Sequence, residues 1–99
     1  MLGFAVAASN ETAFVGHPTQ LWCGAANSER TDWMYQTTEH SRRQRLSANA
    51  TVISDHVGRY VADGSSLIIN EVKASDAGIY TCAYGSHVYH KLRLKVDGM

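Results

Sequence analysis

Asp76-Ala77-Gly78-Ile79-Tyr80-Thr81-Cys82, followed by Ala83 and Tyr84, is the stretch whose reading decides the fold. From Ile79 to Tyr84 it carries β-branched and aromatic residues with one cysteine, the composition of a half-buried strand. Alternation puts Tyr80 and Cys82 on one face and Thr81 and Ala83 on the other. Asp-Ala-Gly interrupts the pattern, and Val72–Gly78 has room for one short helical turn at a corner. The chain has 2 cysteines, Cys23 and Cys82, far apart in the sequence. Metal sites usually draw on closely spaced pairs, so a long-range disulfide is the better reading and a metal site the weaker one. Closing so long a loop stabilises a fold by about 4 kcal/mol in the chain-entropy model. Such a bond implies an oxidising compartment.

Outward from this stretch, the other segments are short and frequently punctuated. Phe14 and then Thr19–Cys23 alternate like a strand, and Trp33-Met34-Tyr35-Gln36 is a compact aromatic strand. Gly58–Ala62 and Ser66–Asn70 flank Asp63-Gly64, a hairpin signal. Lys91–Val96 alternates strictly between charged and apolar. No window carries a helical period of useful length. Many short strands at close spacing indicate an all-β sandwich or barrel.

Composition bounds the rest. The chain is 99 residues with 44% hydrophobic content, one globular domain's worth. Nine Lys plus Arg balance nine Asp plus Glu, which argues against a dedicated nucleic-acid binder. No apolar run is long enough to span a membrane, so any membrane link is expected through parts of a parent chain not contained here. Met1–Val6 lacks the features of a signal peptide, and Met1 reads as an initiator on an excised domain. Two sequons, Asn10-Glu11-Thr12 and Asn49-Ala50-Thr51, make Asn10 and Asn49 candidate glycosylation sites.

Asp76–Cys82 resembles the Asp-x-Gly-x-Tyr-x-Cys signature of immunoglobulin V-set and I-set domains. Gly16, Leu21, Cys23 and Trp33 fall into register with it, as do Gly58-Arg59-Tyr60 and Ser66–Ile69. The likeness runs from about Thr12 to Val96. It implies an immunoglobulin-like two-sheet antiparallel Greek-key sandwich over 1–99, with its core at about 12–96. It implies that Cys23 and Cys82 bridge the sheets, that Trp33 packs on the bridge, and that the Tyr80 hydroxyl bonds back to backbone near Asp76. Gly78 would let the corner turn tightly, and Arg59 would pair with Asp76. These residues build the fold and say little about what it binds. The antigen-receptor Phe-Gly-x-Gly motif is missing from Gly85–Leu92, and the loop between the last two strands must be short. The cysteine spacing falls below that usual for V-set domains and a little above that usual for I-set domains. A V-like or intermediate form of eight or nine strands is expected, with residues 37–57 supplying a C′ strand and a short C″.

By alternation Met34, Gln36, Thr81, Ala83, Lys91 and Arg93 point outward from the sheet that the family builds from strands G, F, C and C′. In adhesion molecules and receptors that sheet often meets a protein partner, homophilic or heterophilic. The plainer reading is that these positions are merely solvated. Trp22 points out of the opposite sheet, either packed under a sugar or hairpin or free to contact a partner. Arg42, Arg43 and Arg45 form the one basic run, read first as a solvated hairpin, next as a site for a sulfated glycan or an acidic partner, and last as a minimal Arg-x-x-Arg convertase site. His87 and His90 are expected on opposite faces of a strand, which disfavours a metal site. No catalytic constellation or cofactor motif stands out. The likeness points first to a recognition domain of a cell-surface receptor or adhesion molecule, including immune-type receptors and receptor-kinase ectodomains. A secreted immune-recognition protein is second, and a structural module of a muscle protein third.

Overall fold

The computed structural model describes residues 9–24, 31–48, 51–53 and 56–98. Among them are nine strands: β1 (Ser9–Phe14), β2 (Thr19–Leu21), β3 (Asp32–Gln36), β4 (Gln44–Ala48), β5 (Thr51–Val52), β6 (Tyr60–Asp63), β7 (Ser66–Ile69), β8 (Gly78–Tyr84) and β9 (His87–Asp97). Six make one sheet in the order β1-β9-β8-β3-β4-β5, and three make the other in the order β2-β7-β6. All pairs are antiparallel except β1 with β9, which run parallel from Ser9 opposite Leu92 to Phe14 opposite Asp97.

Period-two patterning explains the core. Leu21, Cys23, Leu67, Ile69 and Tyr60 from the small sheet meet Trp33, Leu46, Tyr80, Cys82, Leu92 and Leu94 from the large one in a single buried cluster. Cys23 and Cys82 are bonded across the sheets, closing a sequence separation of 59. Trp33 lies directly opposite Cys82 in the β3–β8 register, and its indole Nε1 donates to the Ser65 carbonyl at 2.9 Å.

The lower corner is a dense polar knot around a short 3-10 turn, Ala74–Asp76. Asp76 is 3% exposed. Its carboxylate accepts from Arg59 Nη1 (3.0 Å), Arg59 Nη2 (2.9 Å) and the Lys73 backbone N–H (2.7 Å). Tyr80 Oη donates to the Asp76 carbonyl at 2.7 Å, and burial holds that hydroxyl protonated far above its ordinary range. Tyr35 Oη donates to the Ala77 carbonyl at 2.6 Å. At Gly78 a Cβ would stand 2.7 Å from the Gln36 carbonyl oxygen and 2.7 Å from Tyr35 Cε1, so a side chain is excluded by close approach.

Three local expectations shift. The β6–β7 turn centres on Gly64-Ser65, with Asp63 still paired to Ser66, one residue later than the Asp-Gly signal suggests. Trp22 is 67% exposed and so is not packed under the β6–β7 hairpin. In β9 the register passes from Cys82–His90 to Ala83–Val88, which leaves Tyr89 as an inserted residue. That bulge resets the alternation: His87 falls opposite Tyr84 and His90 opposite Cys82, two residues of one face. The two histidines are thus not on opposite faces. No cluster of three or more metal-ligating side chains occurs among the described residues.

Candidate partner-binding face

The outward face of the large sheet is built from β9, β8, β3 and β4. Met34 sits at its middle, half-buried, opposite Thr81 on one side and Arg45 on the other. The β8–β9 turn is only Gly85-Ser86, with Tyr84 paired to His87, so the connection between these two strands does not fold over this face.

Charged side chains frame Met34 in two groups. On the β4 side, Arg45 Nη1 lies 2.6 Å from Asp32 Oδ2. On the β9 side, Lys91 Nζ lies 3.0 Å from Glu39 Oε1, and Arg93 Nη2 lies 2.7 Å from Glu39 Oε2. Hydrogen bonding to Lys91, with the charges of Lys91 and Arg93 behind it, holds the Glu39 carboxyl below its usual range. Glu39 belongs to the turn after β3, whereas Lys91 and Arg93 belong to β9. Since β8 runs between β3 and β9, these ion pairs cross the outer side of β8. Ile79 and Thr81, the β8 residues paired with Arg93 and Lys91, are each 2% exposed beneath that crossing.

The six expected contact residues therefore divide. Met34, Lys91 and Arg93 reach the surface. Gln36, Thr81 and Ala83 do not: they are 4%, 2% and 3% exposed, a correction to the expectation that outward-pointing positions are open. Thr81 lies between Met34 and Lys91, its partners in the two neighbouring strands, and Lys91 reaches past it to Glu39. Ala83 is a small side chain set between Asp32 and Val88, its partners in the two neighbouring strands. Gln36 has an internal task. Its Nε2 is within hydrogen-bonding distance of the carbonyls of Thr38 (2.8 Å), Ser41 (3.2 Å) and Glu39 (3.3 Å), so it pins the turn that carries Glu39. Sequence reasoning missed Glu39 because nothing local links a turn acid to bases in the last strand.

The basic run is less free than its composition suggests. Arg45 is committed to Asp32, which leaves Arg42 and Arg43 as its exposed remainder and weakens the case for a sulfated-glycan site. Asn10 is exposed on β1, directly opposite Arg93. Asn49 lies outside the described residues.

No curated protein matches the chain in sequence. The family model for the immunoglobulin domain matches residues 4–84, a span that takes in both cysteines, the core tryptophan and the Asp76–Cys82 signature. With the two-sheet sandwich and its bridging disulfide, this establishes that the chain belongs to the immunoglobulin domain family.

Proposed function

We propose that this immunoglobulin domain is an extracellular protein-recognition module of a cell-surface receptor or adhesion molecule, and that it binds through the outward face of the six-stranded sheet. An immunoglobulin domain is a general recognition and adhesion module, and its fold is typically non-enzymatic. Its disulfide fits an oxidising, extracellular setting. No described helix is long and apolar enough to cross a membrane. The observation that carries the reading is the outward face, with one adaptable thioether, the half-buried Met34, at its middle and ion pairs around it. That is the layout of an apolar interface core with a polar rim. An oligosaccharide on Asn10 would stand at the β1 border of the same face and limit which partners fit.

Expression of the domain on a membrane anchor, followed by cell-to-cell binding, tests the reading. Met34→Glu and Lys91→Glu should abolish adhesion while near-UV circular dichroism stays native. Trp22→Ser, on the other sheet, should leave adhesion intact. Loss of adhesion with Trp22→Ser and none with Met34→Glu would place the contact on the three-stranded sheet instead.

A further inference from the structure

The ionic strap poses a difficulty for any contact at this face. Thr81 and Ile79 lie under side chains of their own chain, so a partner that reaches the sheet centre has to move Lys91, Arg93 or Glu39. The backbone of the turn is not what yields, since Gln36 anchors it through three carbonyls. The side chain of Glu39 is the movable part. It is 42% exposed, and exposed ion pairs contribute little net stability, so its release is cheap.

What replaces it must also be anionic, because two cations, one of them Lys91 at 22% exposure, would otherwise be left facing each other at a closing interface. A second copy of the domain supplies that group. The face holds both the acid and its two bases side by side, so it is its own electrostatic complement. A two-fold axis lying in the interface beside Glu39 would bring each copy's carboxylate onto the other's Lys91 and Arg93, the self-matching geometry of an isologous contact. Asp32 and Arg45, the other pair on this face, are arranged in the same acid-beside-base manner.

We infer that Glu39 is a carboxylate held in cis in the single domain, and that two copies associate face to face by exchanging it, each copy's Glu39 passing to Lys91 and Arg93 of the other. This rests on the reading of the outward face as the contact surface. The bridge count does not change on docking, and the sheet centre around Met34 and Thr81 becomes available to the partner. Association of this kind is weak and salt-sensitive, since an exposed strap is exchanged for a partly covered one.

Charge reversal tests the exchange with the domain itself as the probe. Sedimentation equilibrium up to about millimolar concentration, at low and physiological salt, is run on wild type, Glu39→Lys, the double variant Lys91→Glu/Arg93→Glu, and an equimolar mixture of the last two. Each variant alone sets like charges against each other in a symmetric dimer, so each should self-associate at least about tenfold more weakly than wild type. In the mixed pair both trans contacts are attractive. In one direction the introduced lysine meets the two introduced glutamates. In the other the native Glu39 of the double variant meets the native Lys91 and Arg93 of the single variant. Neither variant has a cis bridge to give up, so the mixture should form a one-to-one dimer at least as tight as wild type. A mixture no stronger than its two components overturns the exchange. So does a wild-type domain that stays monomeric throughout, which would still leave the face open to a different partner. Wild-type association that survives Met34→Glu unchanged overturns both the exchange and the choice of face.

Discussion

Replacing Arg59 with methionine should unfold this domain at markedly lower denaturant. In the native corner the Asp76 carboxylate has three donors, two from Arg59 and one from the Lys73 backbone. Arg59 also donates to the Glu71 carbonyl at 3.0 Å. Methionine keeps the aliphatic stem but leaves a carboxylate that is 3% exposed with a single backbone donor. Breaking a fully buried pair costs about 3–5 kcal/mol, most of it the desolvation of the abandoned charge. Here the arginine side chain is 35% exposed, so water reaches the gap and screens part of that loss. The expected destabilisation is therefore about 2–3 kcal/mol. At about 4–8 °C per kcal/mol for a domain of this size, Tm should fall by roughly 10–20 °C. Guanidinium unfolding with the disulfide intact measures the change, and the midpoint should drop with m unchanged. The double variant Arg59→Met/Asp76→Asn removes the orphaned charge and should recover at least about 1 kcal/mol over the sum of the single changes. If Arg59→Met lies within about 0.5 kcal/mol of wild type, or the two changes simply add, the corner ion pair does not hold the sandwich together.

Other consequences follow from single contacts. Gly78→Ala forces a Cβ to 2.7 Å from the Gln36 carbonyl, so it should destabilise by about 1–3 kcal/mol in the same unfolding assay, more than an alanine elsewhere in a strand. Tyr80→Phe removes the bond to the buried Asp76 carbonyl and should lower unfolding free energy by about 1–3 kcal/mol with no change in the partner face. Because the Glu39 carboxyl titrates below its ordinary value, the strap is complete above that value and is lost as pH falls through the lowered one. Self-association measured by sedimentation should accordingly hold from neutral pH into mild acid and fall only below the usual carboxylate range. Trp22→Ser should leave the unfolding midpoint nearly unchanged, since the ring is 67% exposed.

Much of the fold was legible locally. The parity of Trp33, Tyr80 and Cys82, and of Leu92 and Leu94, depends only on the two-residue repeat of a strand, so the inward faces could be assigned without knowing which strands pair. The glycine-marked turns and the corner around Asp76 are likewise short-range matters of backbone sterics and hydrogen bonding. Strand β1 was legible only at Phe14, because Ser9–Phe14 is an edge strand that begins with four polar residues and of which only Ala13 is buried. Its strand character comes from parallel pairing with β9 at the far end of the chain, and no pattern inside six residues encodes that.

The contact face divides in the same way. Alternation correctly sent Gln36, Thr81 and Ala83 to the outer side of the sheet, yet pointing outward is a property of one strand and exposure is a property of its neighbours. Only the tertiary structure decides that Lys91 and Arg93 cross β8 to a carboxylate in the turn after β3, and so cover Ile79 and Thr81. The inserted Tyr89, which puts His87 and His90 on one face, is a register choice between two strands and has no signature in either alone. Backbone period and turn chemistry are set over a few residues, so the sequence determines them by itself. Which long side chains meet across an intervening strand depends on the order of strands in the sheet, which exists only after residues distant in the chain have paired.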